Sequence, residues 1–366
     1  MINIYNSNIE KYTSSALNAI KSGWISNHGE YIKLAEDKLK SVTNTKHCIL
    51  MANGTCATHC LFLSLKFKYP TINKIYVSNN SYVASINSVL MVYTIDQIEL
   101  MKMNIDTWNI DTNEEYIRSL EKNSAILIVH NLGNIINVPR LKHIRPDIIF
   151  LEDNCEGLFG KYNDCYSGMS EDILCSSSSF YGNKIITTGE GGAFYTQHDD
   201  VYEFIKKIYS QGMSTTRYLH ELHAYNYRMT NIEAGFLYDQ LNDIENILKN
   251  KYKIFETYDT LLEPYGDKIK LIKKENTLYA PWIYAIRIIN NKSIEDTTEF
   301  FKKNNVDIRP FFYPMNSHHH LKSLKNEDEI SYILNKEIIM IPSSPDITFD
   351  EQTQVVNVIK LYLKNS

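Results

Sequence analysis

The sequence lacks several features that would assign it to other classes of protein. It has no polybasic block: the net charge of −5 comes from 38 basic and 43 acidic residues mixed along the whole chain. That excludes a surface built to follow a phosphate backbone, and with it a nucleic-acid partner. No apolar run approaches the ~20 residues that span a bilayer, and the start, MINIYNSNIEKYTSS, has neither the charged opening nor the apolar stretch of a secretory signal. No membrane partner is expected. The six cysteines, Cys48, Cys56, Cys60, Cys155, Cys165 and Cys175, form no CxxC pair, which removes a zinc ribbon and a thioredoxin-like site. They read as free thiols packed as small hydrophobes in a reducing, cytoplasmic setting. Arginine is scarce beside lysine while Ile, Asn and Tyr abound, the codon bias of an AT-rich genome, which bears on origin and not on activity. Internal repeats and low-complexity linkers are missing too.

What is present is a chain of 366 residues, 43% of them hydrophobic, which is more than one core usually supports. Two domains are expected, a large one over 1–240 and a smaller one over 241–366. Short β-rich runs, IYVSNN (75–80), AILIVH (125–130) and DIIFLED (147–153), alternate with helical stretches such as EEYIRSLEK. This is the pattern of an α/β fold with a mainly parallel sheet flanked by helices, whose ligands bind where the strands end. One long amphipathic helix is expected over NIEAGFLYDQLNDIENILKNKYKIFETYDTLL, leading out of the large domain. A strand over WIYAIRII (282–289) and helices over IEDTTEFFKKNN and DEQTQVVNVIKLYLKN suit a smaller α/β domain.

Three segments carry the chemistry. In CSSSSFYGNKIITTGEGGAF (175–194) a single lysine, Lys184, lies between a serine run and a glycine-rich turn, without the GK[ST] order of a P-loop. By itself this is a solvated loop lysine. In FLEDNCEGLFG, Asp153 and Glu156 end an apolar strand, thirty-one residues before Lys184 in the case of Asp153. Acids there are often helix caps, yet an Asp facing the nitrogen of a pyridine cofactor keeps that nitrogen protonated and the ring electron-withdrawing. In MANGTCATHCLFLSL, Gly54 and Thr55 precede a helical pattern, so free N–H groups and the positive helix end offer a phosphate seat. Alone, that is a turn and an N-cap.

Together these segments resemble the DegT/DnrJ/EryC1/StrS sugar aminotransferases, a branch of the fold-type I, aspartate-aminotransferase-like enzymes. The resemblance runs through SGWISNHGEYI (22–32), NGTCATH (53–59), SYVASIN (81–87), VHNLG (129–133), EDNCEG (152–157), SFYGNKIITTGEGG (179–192) and YNYRMTNIEAG (225–235), in that order. It implies that Lys184 holds pyridoxal 5'-phosphate as a Schiff base, that Asp153 pairs with the ring nitrogen, and that Tyr82 stacks on the ring. Glu156 falls near the phenolic oxygen. The phosphate falls to the Gly54, Thr55 and Cys56 backbone and the Ser179 hydroxyl, with Asn226 arriving from the second subunit of an obligatory homodimer.

Three positions depart from the family pattern: Cys56 stands where Ala is usual, Glu156 where Gln or His is, and Asn316, in FFYPMNSHHHLK, where His is expected. The run His318–His320 is not read as a metal site, since consecutive loop residues rarely converge on one ion. The GWIS and FFYP segments look most similar to enzymes acting at C4 of a nucleotide-linked 4-keto-6-deoxyhexose, of the perosamine and viosamine synthase kind, with L-glutamate as amino donor. Trp24, Ser26 and Tyr313 are the substrate candidates, with packing at the domain junction as the other reading of Trp24 and Tyr313. The alternatives are a 3-keto sugar aminotransferase, a deoxysugar dehydratase, whose relatives carry His in place of the lysine, and a non-catalytic regulatory protein.

Overall fold

In the computed structural model, which describes residues 1–365, the apolar runs become strands of a seven-stranded sheet. These are β1 (His47–Met51), β2 (Lys74–Ser78), β3 (Ile98–Met101), β4 (Ser124–Val129), β5 (Ile149–Asp153), β6 (Cys175–Ser179) and β7 (Gly192–Thr196), in the order β1-β7-β6-β5-β4-β2-β3. β2 to β6 pair in parallel with their neighbours, and β7 runs antiparallel to both β1 and β6. Helices cover both faces, so β4, β6 and β7 are buried at every position and read as continuous runs rather than as alternation. Ile126 and Ile128 of β4 enter one core cluster and Leu127 and Val129 the other. The second cluster is closed by Leu61, Phe62 and Leu65 of the helix Gly54–Lys68.

Serines fill the buried strand β6 because each has a partner. Ser176 donates to the Gly168 carbonyl, Ser177 meets Thr58 Oγ1 at 2.9 Å, and Ser178 meets the Tyr195 hydroxyl at 2.9 Å. A buried hydroxyl is tolerated on these terms. The alternation leaves Ser177 and Ser179 on the same side of the sheet.

The expected single helix over 231–262 is two helices, Asn231–Asn242 and Ile244–Leu262, broken at Asp243, whose φ and ψ are −111° and 14°. The Asp243 carboxylate accepts from the Tyr12 hydroxyl at 2.7 Å and from Asn246 Nδ2 at 2.6 Å. Asp favours such local bonds over helix continuation, and the apolar period runs straight across the break, which hides it in the sequence.

A third core cluster, with Ile254, Tyr258, Ile286, Phe301, Ile339 and Ile359, packs on an antiparallel sheet of β8 (Ile269–Lys270), β9 (Ala285–Ile288), β10 (Arg309–Pro310) and β11 (Ile338–Met340), in the order β8-β9-β11-β10. The strand expected from Trp282 starts only at Ala285. The first residues of the chain cross to this unit, with the Ile2 N–H donating to the Asn305 carbonyl at 2.8 Å. Among the described residues, no helix is long and apolar enough to cross a membrane.

Candidate active site

The C-terminal ends of β4, β5 and β6 open on a cavity of about 910 Å³. Lys184, Asp153, Glu156 and Ser179 line it, as do Gly54, Thr55, Tyr82 and Tyr313. Residues up to 259 positions apart in the sequence thus meet at one crevice at the strand ends, where a parallel sheet offers its ligand site.

Strand alternation sorts the acids of EDNCEG. Glu152 points away from the cavity, fully buried, and takes His130 Nε2 at 2.7 Å, the Tyr162 hydroxyl at 3.0 Å and the Gly168 N–H at 2.8 Å. Asp153, one residue on, faces the cavity, where it accepts from the Ser85 hydroxyl at 2.6 Å and the Cys155 N–H at 3.2 Å. Glu156 is buried and accepts from the Leu132 N–H at 2.8 Å. Burial pushes its carboxyl up to about 7, against the smaller opposing pull of the Lys184 charge.

At the start of the helix Gly54–Lys68, Asn53 is the N-cap, its Oδ1 accepting from the Cys56 N–H at 2.9 Å. The Cys56 N–H is thus already engaged, and Cys56 does not line the cavity. The N–H groups of Gly54 and Thr55 have no acceptor among the described residues and lie on the cavity wall. A Cβ on Gly54 would come within 2.8 Å of Ser179 Cβ, so only glycine lets the helix end approach this closely. The Ser179 oxygen accepts from the Tyr181 N–H at 3.2 Å, leaving its own O–H to donate.

The loop carrying Lys184 is pinned on several sides. The Phe180 N–H bonds the Gly191 carbonyl and the Thr188 N–H the Phe180 carbonyl, at 2.8 and 2.9 Å. Gln240 exchanges two bonds with Thr187, and the Tyr5 hydroxyl donates to the Lys184 carbonyl at 2.6 Å. The amine of Lys184 lies 3.9 Å from the centre of the Trp282 ring. Tyr82 stands 61% exposed at the cavity rim, its ring tilted against Phe312 with centroids 6.3 Å apart.

The remaining candidates are not brought to this cavity within one chain. Asn226 is exposed, its Oδ1 accepting from Arg228 Nε at 2.8 Å. Trp24 and Ser26 are exposed, and the Trp24 carbonyl is held by Asn231 Nδ2 at 2.6 Å. Two contributors were missed from sequence. Ser85 follows Tyr82 by one helical turn within SYVASIN, a spacing that does signal a shared direction. Trp282 lies ninety-eight residues beyond Lys184, with nothing local to connect them.

The cavity fits the cofactor expected from the sequence. An amine for its aldehyde, a buried carboxylate for its ring nitrogen and a helix N-terminus with two free N–H groups for its phosphate face one space.

Residues 6–360 match the DegT/DnrJ/EryC1/StrS aminotransferase family. The chain is 29% identical to the GDP-perosamine synthase of Vibrio cholerae over 377 aligned positions, covering 99% of each protein. In fold it is similar to Helicobacter pylori PseC, an aminotransferase involved in the biosynthesis of pseudoaminic acid, with a TM-score of 0.88 at 18% identity over 100% of this chain and 99% of that one. It is also similar to the E. coli GDP-4-keto-6-deoxy-D-mannose-3-dehydratase with bound hydrated PLP, with a TM-score of 0.87 at 19% identity over 98% and 99%.

Proposed function

Because the chain belongs to the DegT/DnrJ/EryC1/StrS aminotransferase family, we propose that it is a pyridoxal-phosphate-dependent transaminase of a nucleotide-linked 4-keto-6-deoxyhexose. It takes the amino group from L-glutamate and delivers it to C4, giving a 4-amino-4,6-dideoxy sugar nucleotide, of the perosamine type in preference to the viosamine type. The observation that carries this reading is the end-to-end similarity to GDP-perosamine synthase, joined to a cavity that holds Lys184 and Asp153 together.

Pyridoxal phosphate, when bound, supplies an electron sink for the carbon that carries the amino group. Lys184 holds it covalently and, once released, moves the proton that amino transfer displaces. Asp153, oriented by Ser85, stabilises the proton on the ring nitrogen. Gly54, Thr55 and Ser179 hold the phosphate through N–H and O–H donors. Glu156 would face the phenolic side and Tyr82 the ring face. Tyr313, which lines the cavity as Arg309 and His318 do, would meet the substrate. Asn226, and Trp24 and Ser26 with it, reach a site only across the interface of a homodimer. Six free cysteines suit the cytoplasm.

The second reading, dehydration of a deoxysugar, draws on the fold shared with the dehydratase. Lys184 opposes it, since the dehydratases of this group carry His there. Two experiments test the proposal. Borohydride treatment of the coloured protein is expected to fix the cofactor on the peptide containing Lys184. Glutamate offered with GDP-, UDP- and dTDP-linked 4-keto-6-deoxyhexoses is expected to give a 4-amino sugar, identified by NMR, with the GDP acceptor preferred. Amination at C3, or loss of a hydroxyl without amination, overturns it.

A further inference from the structure

The Lys184 amine shares its cavity with three carboxylates, Asp153, Glu156 and Glu190. Among the described residues, however, it enters no ion pair and lies instead 3.9 Å from the centre of the Trp282 indole. A lysine amine over the face of tryptophan is attracted by the ring quadrupole, most strongly where water is excluded. Trp282 is 5% exposed and is fixed at three points. Its Nε1–H donates to the Asn183 carbonyl at 2.7 Å, its own N–H bonds the Ala280 carbonyl at 2.8 Å, and its carbonyl accepts from the fully buried side-chain amine of Lys251 at 2.8 Å. Lys251 also donates to the Ser343 carbonyl. So rigid a mounting is more than packing requires of an indole, and the bond to Asn183 ties it to the residue next to Lys184.

We propose that Trp282 is a positioning residue whose ring face seats the Lys184 amine whenever that amine is not joined to the cofactor. The seat holds the free amine, in its charged form, against one wall of the cavity and out of ion-pair contact with its carboxylates, and leaves Asp153 free for the ring nitrogen. The other ionisable groups on the cavity wall are Tyr5, whose hydroxyl is spent on the Lys184 carbonyl, Cys155, Tyr82, Tyr181, Arg309, Tyr313 and His318. The proposal rests on the transaminase reading for its purpose.

The test uses the full-length protein freed of cofactor and follows acylation of Lys184 by acetic anhydride, read peptide by peptide by mass spectrometry at fixed pH. Only the neutral amine attacks the anhydride carbonyl, expelling acetate, so a seat that favours the ammonium slows acylation. Trp282→Leu is expected to raise the Lys184 rate about three- to tenfold, relative to other lysines, and Trp282→Phe to restore most of the protection. Biosynthetic replacement of tryptophan by its mono-, di- and trifluoro forms drains the ring face without changing its shape. The rate is expected to climb stepwise with fluorination and to stay flat when the same series is run in Trp282→Phe, which keeps Trp24 and Trp108. A rate that ignores fluorination overturns the proposal even where Trp282→Leu is too unstable to read. The readout needs neither cofactor nor sugar, whereas the transaminase reading fails separately, by borohydride leaving Lys184 unlabelled.

Discussion

The hydroxyl of Ser85 lies 2.6 Å from Oδ2 of Asp153, so the carboxylate at the end of β5 is aimed by a side chain from the helix Ala84–Leu90. Asp153→Asn is expected to lower kcat on the order of 100-fold by removing the buried charge proposed for the ring nitrogen. Ser85→Ala leaves the charge and loses its orientation, at a cost of about tenfold in kcat/KM, the worth of one hydrogen bond to a charged group. Steady-state kinetics of both variants check this. Equal losses would mean that Ser85 does more than aim the carboxylate.

The Glu156 carboxyl, raised by burial from 4.5 to about 7 in the folded protein, gives a pH signature. Between those values the native state holds a proton that the unfolded chain has lost, so this group's contribution to stability falls as pH rises through the window. Glu156→Gln keeps an acceptor for the Leu132 N–H and removes the titration. The variant is therefore expected to gain on the parent above about pH 7 and not below pH 4.5, as read by urea unfolding of the cofactor-free proteins. Glu36, also raised by burial, is common to both and cancels. A constant difference across pH would show that Glu156 ionises normally.

Gly54→Ala is expected to weaken cofactor binding about tenfold, by moving a phosphate donor, and to destabilise the fold by about 1–3 kcal/mol through overpacking. The added methyl would press on Ser179 and on Cys155 Sγ, 3.2 Å away. Equilibrium dialysis of pyridoxal phosphate and thermal unfolding separate the two effects. Unchanged affinity would move the phosphate away from this helix end.

Asn226 is tested by mixing. If it serves the neighbouring subunit's cofactor, a hybrid of Lys184→Ala and Asn226→Ala chains contains one intact site, and activity is expected to reappear on mixing two impaired proteins. If it serves its own chain, both sites of the hybrid stay defective and mixing restores nothing.

Much of this was legible in the sequence because it is written locally. The buried parallel strands announce themselves as unbroken apolar runs, and Asp153, Lys184 and Gly54 each sit in a short segment whose composition has a chemical reason. The break at Asp243 was hidden because its cause, the Tyr12 hydroxyl, lies at the other end of the chain while the helical period continues undisturbed. At Cys56 the backbone donor that the position offers is met by the side chain of Asn53, three residues earlier, an N-cap that the Asn-Gly-Thr run itself announces. Trp282 was missed for the reason that hid Asp243: its meaning comes from what the fold sets beside it.

Lys251 belongs to the helix that leaves the large sheet, yet its side-chain amine donates to the carbonyls of Trp282 and Ser343 from inside the protein. Trp282 packs in the core of the large sheet, while Ser343 follows β11, so one side chain rivets the backbone under the indole to the smaller sheet, and any loosening of that rivet is felt first at the ring.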